Sequence, residues 1–122
     1  MKEDFVIYYA HPMSLYGTPQ EERDIKTLLD MGFGVLNPAE EQFREEAKQH
    51  NNQMSYFLQL LRKCDGVAFR GTPGGKITCG VVQEIKEAVL YNMPIIELPS
   101  SVIARAMSIP ETLEYLREIG ER

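Results

Sequence analysis

The stretch FVIYYA, Phe5 to Ala10, is apolar at every position and rich in β-branched and aromatic residues. A strand with one wet face alternates polar with apolar. A strand without alternation is buried on both faces, as in a parallel sheet covered by helices on each side. Three further short runs read as strands: GVLNP (Gly34 to Pro38), DGVAFR (Asp65 to Arg70) and MPIIELP (Met93 to Pro99).

Helical segments separate these runs. TPQEERDIKTLLDMGF opens with Thr18 as N-cap, Pro19 at the first helical position and acids in the first turn, and Gly32 closes it. Its apolar stripe is Ile25, Leu28 and Leu29. AEEQFREEAKQH reads as a surface helix anchored by Phe43 and Ala47. QMSYFLQLLRKC carries Met54, Phe57, Leu58 and Leu61 at helical spacing, and CGVVQEIKEAVLYN places Val81, Val82, Ile85, Ala88 and Val89 on one side. SSVIARAMS and PETLEYLREIG read as closing helices.

Strands alternating with helices imply right-handed βαβ units. The expected fold is α/β, a Rossmann-like or flavodoxin-like three-layer sandwich. Its parallel sheet has four to five strands in the order 2-1-3-4. The 122 residues suit a single domain spanning 1–122. Ligands of such sheets sit beyond the carboxyl ends of the strands, at the switch point between strands 1 and 3. The turns after Ala10, Arg70 and Leu98 are therefore the places to look.

Charge narrows the ligand. A net charge of −5 and a pI near 5.0 argue against a duplex nucleic-acid binder, which needs a basic face. A small phosphorylated ligand needs only a few local donors. No apolar run is long enough to span a membrane, and MKEDFVIYY lacks the features of a secretory signal. A cytoplasmic protein with Cys64 and Cys79 as reduced thiols is expected. His11 and His50 have no second ligand at metal-binding spacing, so neither a metal nor another cofactor is expected.

Two stretches fall at the switch point. In HPMSLYG, Ser14 offers a hydroxyl and Gly17 permits close backbone approach, with His11 at the strand end. The stretch is neither a Walker loop nor a Gly-x-Gly-x-x-Gly fingerprint. It is either a Pro-containing turn with a solvated His and Ser or the floor of a small-molecule site. The second stretch is GTPGGKITCGVVQE. Thr78 would cap its helix and, with the first-turn amides, suit a phosphate. Gly80 lies one turn before Glu84 and would leave room beside that carboxylate. Glu84 alone would read as a solvated helix acid, but its position facing the switch point favours a ligand floor. Asp65, leading its strand, reads mainly as a structural cap.

Taken together, IYYAHPMS, CDGVAF and TCGVVQEIKEAVLYNMPII resemble the nucleoside 2-deoxyribosyltransferase-like superfamily. That group includes the deoxynucleoside 5′-monophosphate N-glycosidases and small, often phage-associated members. The resemblance runs from about Val6 to about Leu98, and the Gly80–Glu84–Ala88 spacing is its most specific part. It implies that Glu84 is the nucleophilic or charge-stabilising carboxylate and that Tyr8 orients it. It implies substrate contacts around His11, Ser14, Gly17, Thr78 and Gly80, with a nucleoside or nucleotide as the small-molecule partner.

One departure is plain. Relatives commonly carry an Asp eight residues before the Asp of strand 3, where this chain has Phe57. His11, Asp65 and Glu40 are the candidates to replace it. The expected function is N-glycosidic bond cleavage or transfer. The alternative is a nucleotide-binding module without turnover, acting as a sensor or by sequestering its ligand. A receiver-like domain fits less well, because YYAHPM has no acidic cluster. The resemblance also implies a homodimer or larger homo-oligomer, with Ser101, Arg105 or Ser108 completing a neighbour's site.

Overall fold

The computed structural model describes residues 5–72 and 74–99. The expected closing helices, with Ser101, Arg105 and Ser108, lie outside the described residues. Among the described residues four strands form one all-parallel sheet: β1 (Val6–Ala10), β2 (Gly34–Leu36), β3 (Gly66–Phe69) and β4 (Ile95–Glu97). The order is β2-β1-β3-β4, with Tyr8 level with Leu36 on one side and Val67 on the other. The molecule is therefore a Rossmann-like α/β fold with the switch point beside β1.

Helices α1 (Pro19–Asp30), α2 (Glu41–Ala47), α3 (Gln53–Arg62) and α4 (Cys79–Leu90) connect the strands. A short 3-10 turn at Met13–Leu15, not anticipated from the sequence, follows β1. Strand alternation sorts the β1 side chains between two cores. Tyr8 and Ala10 pack with Leu60, Leu61 and Val81 of α3 and α4, and Ile7 and Tyr9 pack with Leu28 of α1. All four β1 residues from Ile7 to Ala10 are fully buried.

The start of α1 forms as its sequence dictates. The Thr18 side chain accepts a hydrogen bond from the Glu21 amide, and Pro19 takes the first helical position. The helix ends before Gly32, whose φ is +95°. Its buried stripe differs from the expected one. Glu21, Asp24 and Leu28 are buried, while Leu29 is half exposed at 50%. Two acids displace an apolar residue from the core side because buried partners await them. On α4, Val89 likewise turns outward, and Val81, Glu84 and Ala88 form the buried line. Asn92, at φ 56°, follows the end of α4.

Asp65 is structural, but it ties down β1 where a cap on the preceding helix or turn was expected. Its carboxylate accepts the Val6 N–H at 2.8 Å, and its own amide donates to the Val6 carbonyl at 2.8 Å. This pins the start of β1, at the end of the sheet opposite the strand carboxyl ends. Cys64 and Cys79 are free thiols, and burial pushes the Cys64 thiol up to about 11. Among the described residues no helix is long and apolar enough to cross a membrane.

Candidate functional site

A cavity of about 540 Å³ opens beyond the carboxyl end of β1, on the side of the sheet that carries α3 and α4. Its floor is the turn after β1, from His11 to Ser14, together with Tyr16. The start of α3 supplies Gln53, Met54 and Phe57, and the start of α4 supplies Thr78 to Val81 and Glu84. A parallel strand followed by a turn and a helix brings such groups together at one end of the sheet.

Glu84 is the charged centre of this cavity. It lies on the second turn of α4, 8% exposed, and accepts a 2.5 Å hydrogen bond from the Tyr8 hydroxyl. Burial raises the Glu84 carboxyl to about 7, opposed by the Tyr8 hydrogen bond, which favours the charged form. Tyr8 itself is pushed well above 10, first by burial and then by the adjacent carboxylate. The phenol therefore stays a donor, and the carboxyl titrates near neutrality. A carboxyl so placed can act as nucleophile, as stabiliser of positive charge, or as acid–base group.

The other predicted residues divide. Ser14, Thr78 and Gly80 line the cavity. Thr78 occupies the N-cap position of α4, but its side chain makes no capping hydrogen bond. Its hydroxyl is thus not spent on capping the helix. An added Cβ on Gly80 would stand 3.3 Å from the Met54 methyl, so glycine lets α3 and α4 close up beside Glu84.

Gly17 departs from expectation. It does not appear in the cavity wall. Its φ is +74°, which lets the chain turn, and its amide donates to Glu21 at 3.0 Å. His11 borders the cavity, but its side chain is fully buried and both ring nitrogens are engaged. Nδ1 donates to the Tyr9 carbonyl at 3.0 Å, and Nε2 meets Glu21 at 2.8 Å. Because the carbonyl can only accept, the second contact needs one proton shared between ring and carboxylate. His11 therefore supports the turn from below, with both ring nitrogens engaged within the protein.

That support extends further than the sequence indicated. The His11 ring stacks on Tyr9 at 3.8 Å between centroids. The Tyr9 hydroxyl donates to Asp24, which takes a bidentate pair from Arg70, at 2.6 Å from Nε and 2.8 Å from Nη2. Arg70 and Asp24 are both at most 5% exposed. Burial and the Asp24 hydrogen bond hold the Tyr9 phenol protonated far above its ordinary value. Acids at helix positions 21 and 24 look solvated in sequence, and Arg70 is 46 residues from Asp24, so no local signal announced the network.

Of the three candidates to replace an acid at Phe57, none brings a free carboxyl or imidazole to the cavity. Asp65 serves Val6, His11 serves Glu21, and Glu40 is an exposed residue at the start of α2. Phe57 itself is part of the wall. Sequence reading also missed Tyr16, whose phenol is raised to about 12 mainly by burial, with the Glu84 charge adding to it. The Arg44 guanidinium lies 5.8 Å from the Tyr16 ring centroid. Among the described residues no cluster of His, Cys, Asp and Glu is arranged to hold a metal ion. No family model, curated protein or solved structure matches the chain.

Proposed function

We propose that the cavity binds a nucleoside or nucleoside 5′-monophosphate and cleaves or transfers its N-glycosidic bond, with Glu84 as nucleophile. The observation that carries this reading is the Tyr8–Glu84 hydrogen bond inside a cavity at the carboxyl end of β1. Breaking an N-glycosidic bond builds positive charge at the anomeric carbon. A desolvated carboxylate stabilises that charge or captures it covalently. Tyr8 fixes one carboxylate oxygen and leaves the other for the sugar. Ser14 and Thr78, hydroxyl donors on the cavity wall, suit the sugar or a phosphate. Homo-oligomerisation belongs to the same proposal, and sedimentation analysis tests it.

Incubation with a panel of deoxy- and ribonucleosides and their 5′-monophosphates, followed by chromatography for free base, tests the reading. Base release by wild type and its loss in Glu84→Ala are expected. Equal release by the variant overturns the role of Glu84. A second reading, a nucleotide-binding module without turnover, is favoured by His11, whose Nε2 is committed to Glu21 and so supplies no free imidazole acid. It predicts ligand-raised thermal stability with no base released from any compound.

A further inference from the structure

The cavity combines one deeply buried carboxyl with aromatic and thioether walls. Glu84 is bounded by the Tyr8 ring, and Tyr16, Phe57, Met54 and Met13 line the same space. Aromatic faces around a single carboxylate attract a flat organic cation: the rings supply quadrupole attraction and the carboxylate supplies charge. Tyr16 already carries one cation, the Arg44 guanidinium. A neutral nucleobase, by contrast, must gain a proton as it leaves. With Glu84 taken up as nucleophile, the other polar groups beside it are poor sources of that proton. Tyr8 donates to Glu84, the His11 ring is committed to Glu21, and the Tyr16 phenol holds its proton to about 12.

We propose, building on the glycosidase reading, that the substrate is a cationic N-glycoside, such as an N-ribosylpyridinium or an N7-alkylated purine nucleoside. The base of such a compound leaves without a proton from the protein. The C1′–N bond breaks with its electron pair moving to the base, whose positive charge it cancels. A Glu84 oxygen forms an ester bond to C1′. Water then attacks C1′, the Glu84 carboxylate departs, and the proton released from water passes to solvent. The products are the sugar hydroxyl, the neutral base and one proton. The bound cation also favours the ionised form of Glu84, which is the form that attacks.

Matched pairs test this. N-ribosylnicotinamide is compared with its neutral dihydro form, and 7-methylguanosine with guanosine. Base release is divided by each compound's spontaneous rate, because the cationic members are intrinsically more labile. The cationic member of each pair is expected to be accelerated at least about 100-fold more than its neutral partner, and Glu84→Gln to lose about 100-fold or more of that acceleration. Equal or greater acceleration of the neutral members overturns the cationic preference and leaves the glycosidase reading standing. Acceleration of none of the four compounds overturns this proposal, and the glycosidase reading then stands or falls on the panel of deoxy- and ribonucleosides and their 5′-monophosphates.

Discussion

Tyr8 and Glu84 lie 76 positions apart, one on the central strand and one on the helix after β3, and they share a 2.5 Å hydrogen bond in the interior. The pair is the point where sheet and helix meet the cavity. Its electrostatics set the first two expectations.

Glu84 makes stability depend on pH. Its carboxyl titrates near 4.5 when unfolded and near 7 when folded. Between these values the unfolded chain ionises while the folded chain keeps its proton. The native state therefore binds more protons, and this contribution is fully present below pH 4.5 and lost as pH rises through about 7. Glu84→Gln cannot ionise. It is expected to match wild type at pH 4 and to exceed it by up to about 3 kcal/mol at pH 8. Urea denaturation at the two pH values measures the difference.

Tyr8→Phe keeps the ring in the core and removes the donor that favours the charged carboxylate. The Glu84 carboxyl then titrates still higher, and the ionised fraction at pH 7 falls. Activity at pH 7 is expected to drop about 10-fold and to recover partly by pH 9, which a pH–rate profile reads directly. Loss of activity that is the same at every pH would instead point to a packing effect.

Asp24→Ala leaves the Arg70 guanidinium buried without its bidentate partner and the Tyr9 hydroxyl without an acceptor. A loss of about 3–5 kcal/mol is expected from chemical denaturation. Replacing both members, Asp24→Leu with Arg70→Met, is expected to cost much less, because no charge is then stranded.

Gly17→Ala separates turn from site. The φ of +74° strains any L side chain, so a loss of about 1 kcal/mol in stability is expected. Because Gly17 points its amide at Glu21 and does not line the cavity, nucleotide affinity in isothermal titration is expected to change little.

The residues differ in how far the sequence exposed them. The unalternating FVIYYA run, the Thr18–Pro19 start signal and the strand–helix rhythm carried the elements and the parallel sheet, because each is local chemistry repeated along the chain. Glu84 was legible from its place on the helix facing the switch point, its chemical role and Tyr8 came from a family resemblance, and the hydrogen bond between them is a tertiary fact. Glu21 and Asp24 sit at positions where helix acids ordinarily meet water. Their burial depends on His11 and Arg70, which only the folded chain brings near. Leu29 and Val89 fit the helical period but fall at the margin of the buried face, where neighbouring packing decides. Tyr16 and Met54 join the wall from two separate elements, the turn after β1 and α3, and no spacing rule links them.

The role of Glu84 as nucleophile is read out by peptide mass spectrometry after incubation with a 2′-fluoro-sugar nucleoside or N-glycoside that the protein turns over slowly. Fluorine beside the anomeric carbon slows both formation and breakdown of a glycosyl–enzyme ester, so the intermediate accumulates. Base is expected to be released and the Glu84 peptide to gain the mass of the sugar. A label on any other residue, or base release with no label at Glu84, would contradict it.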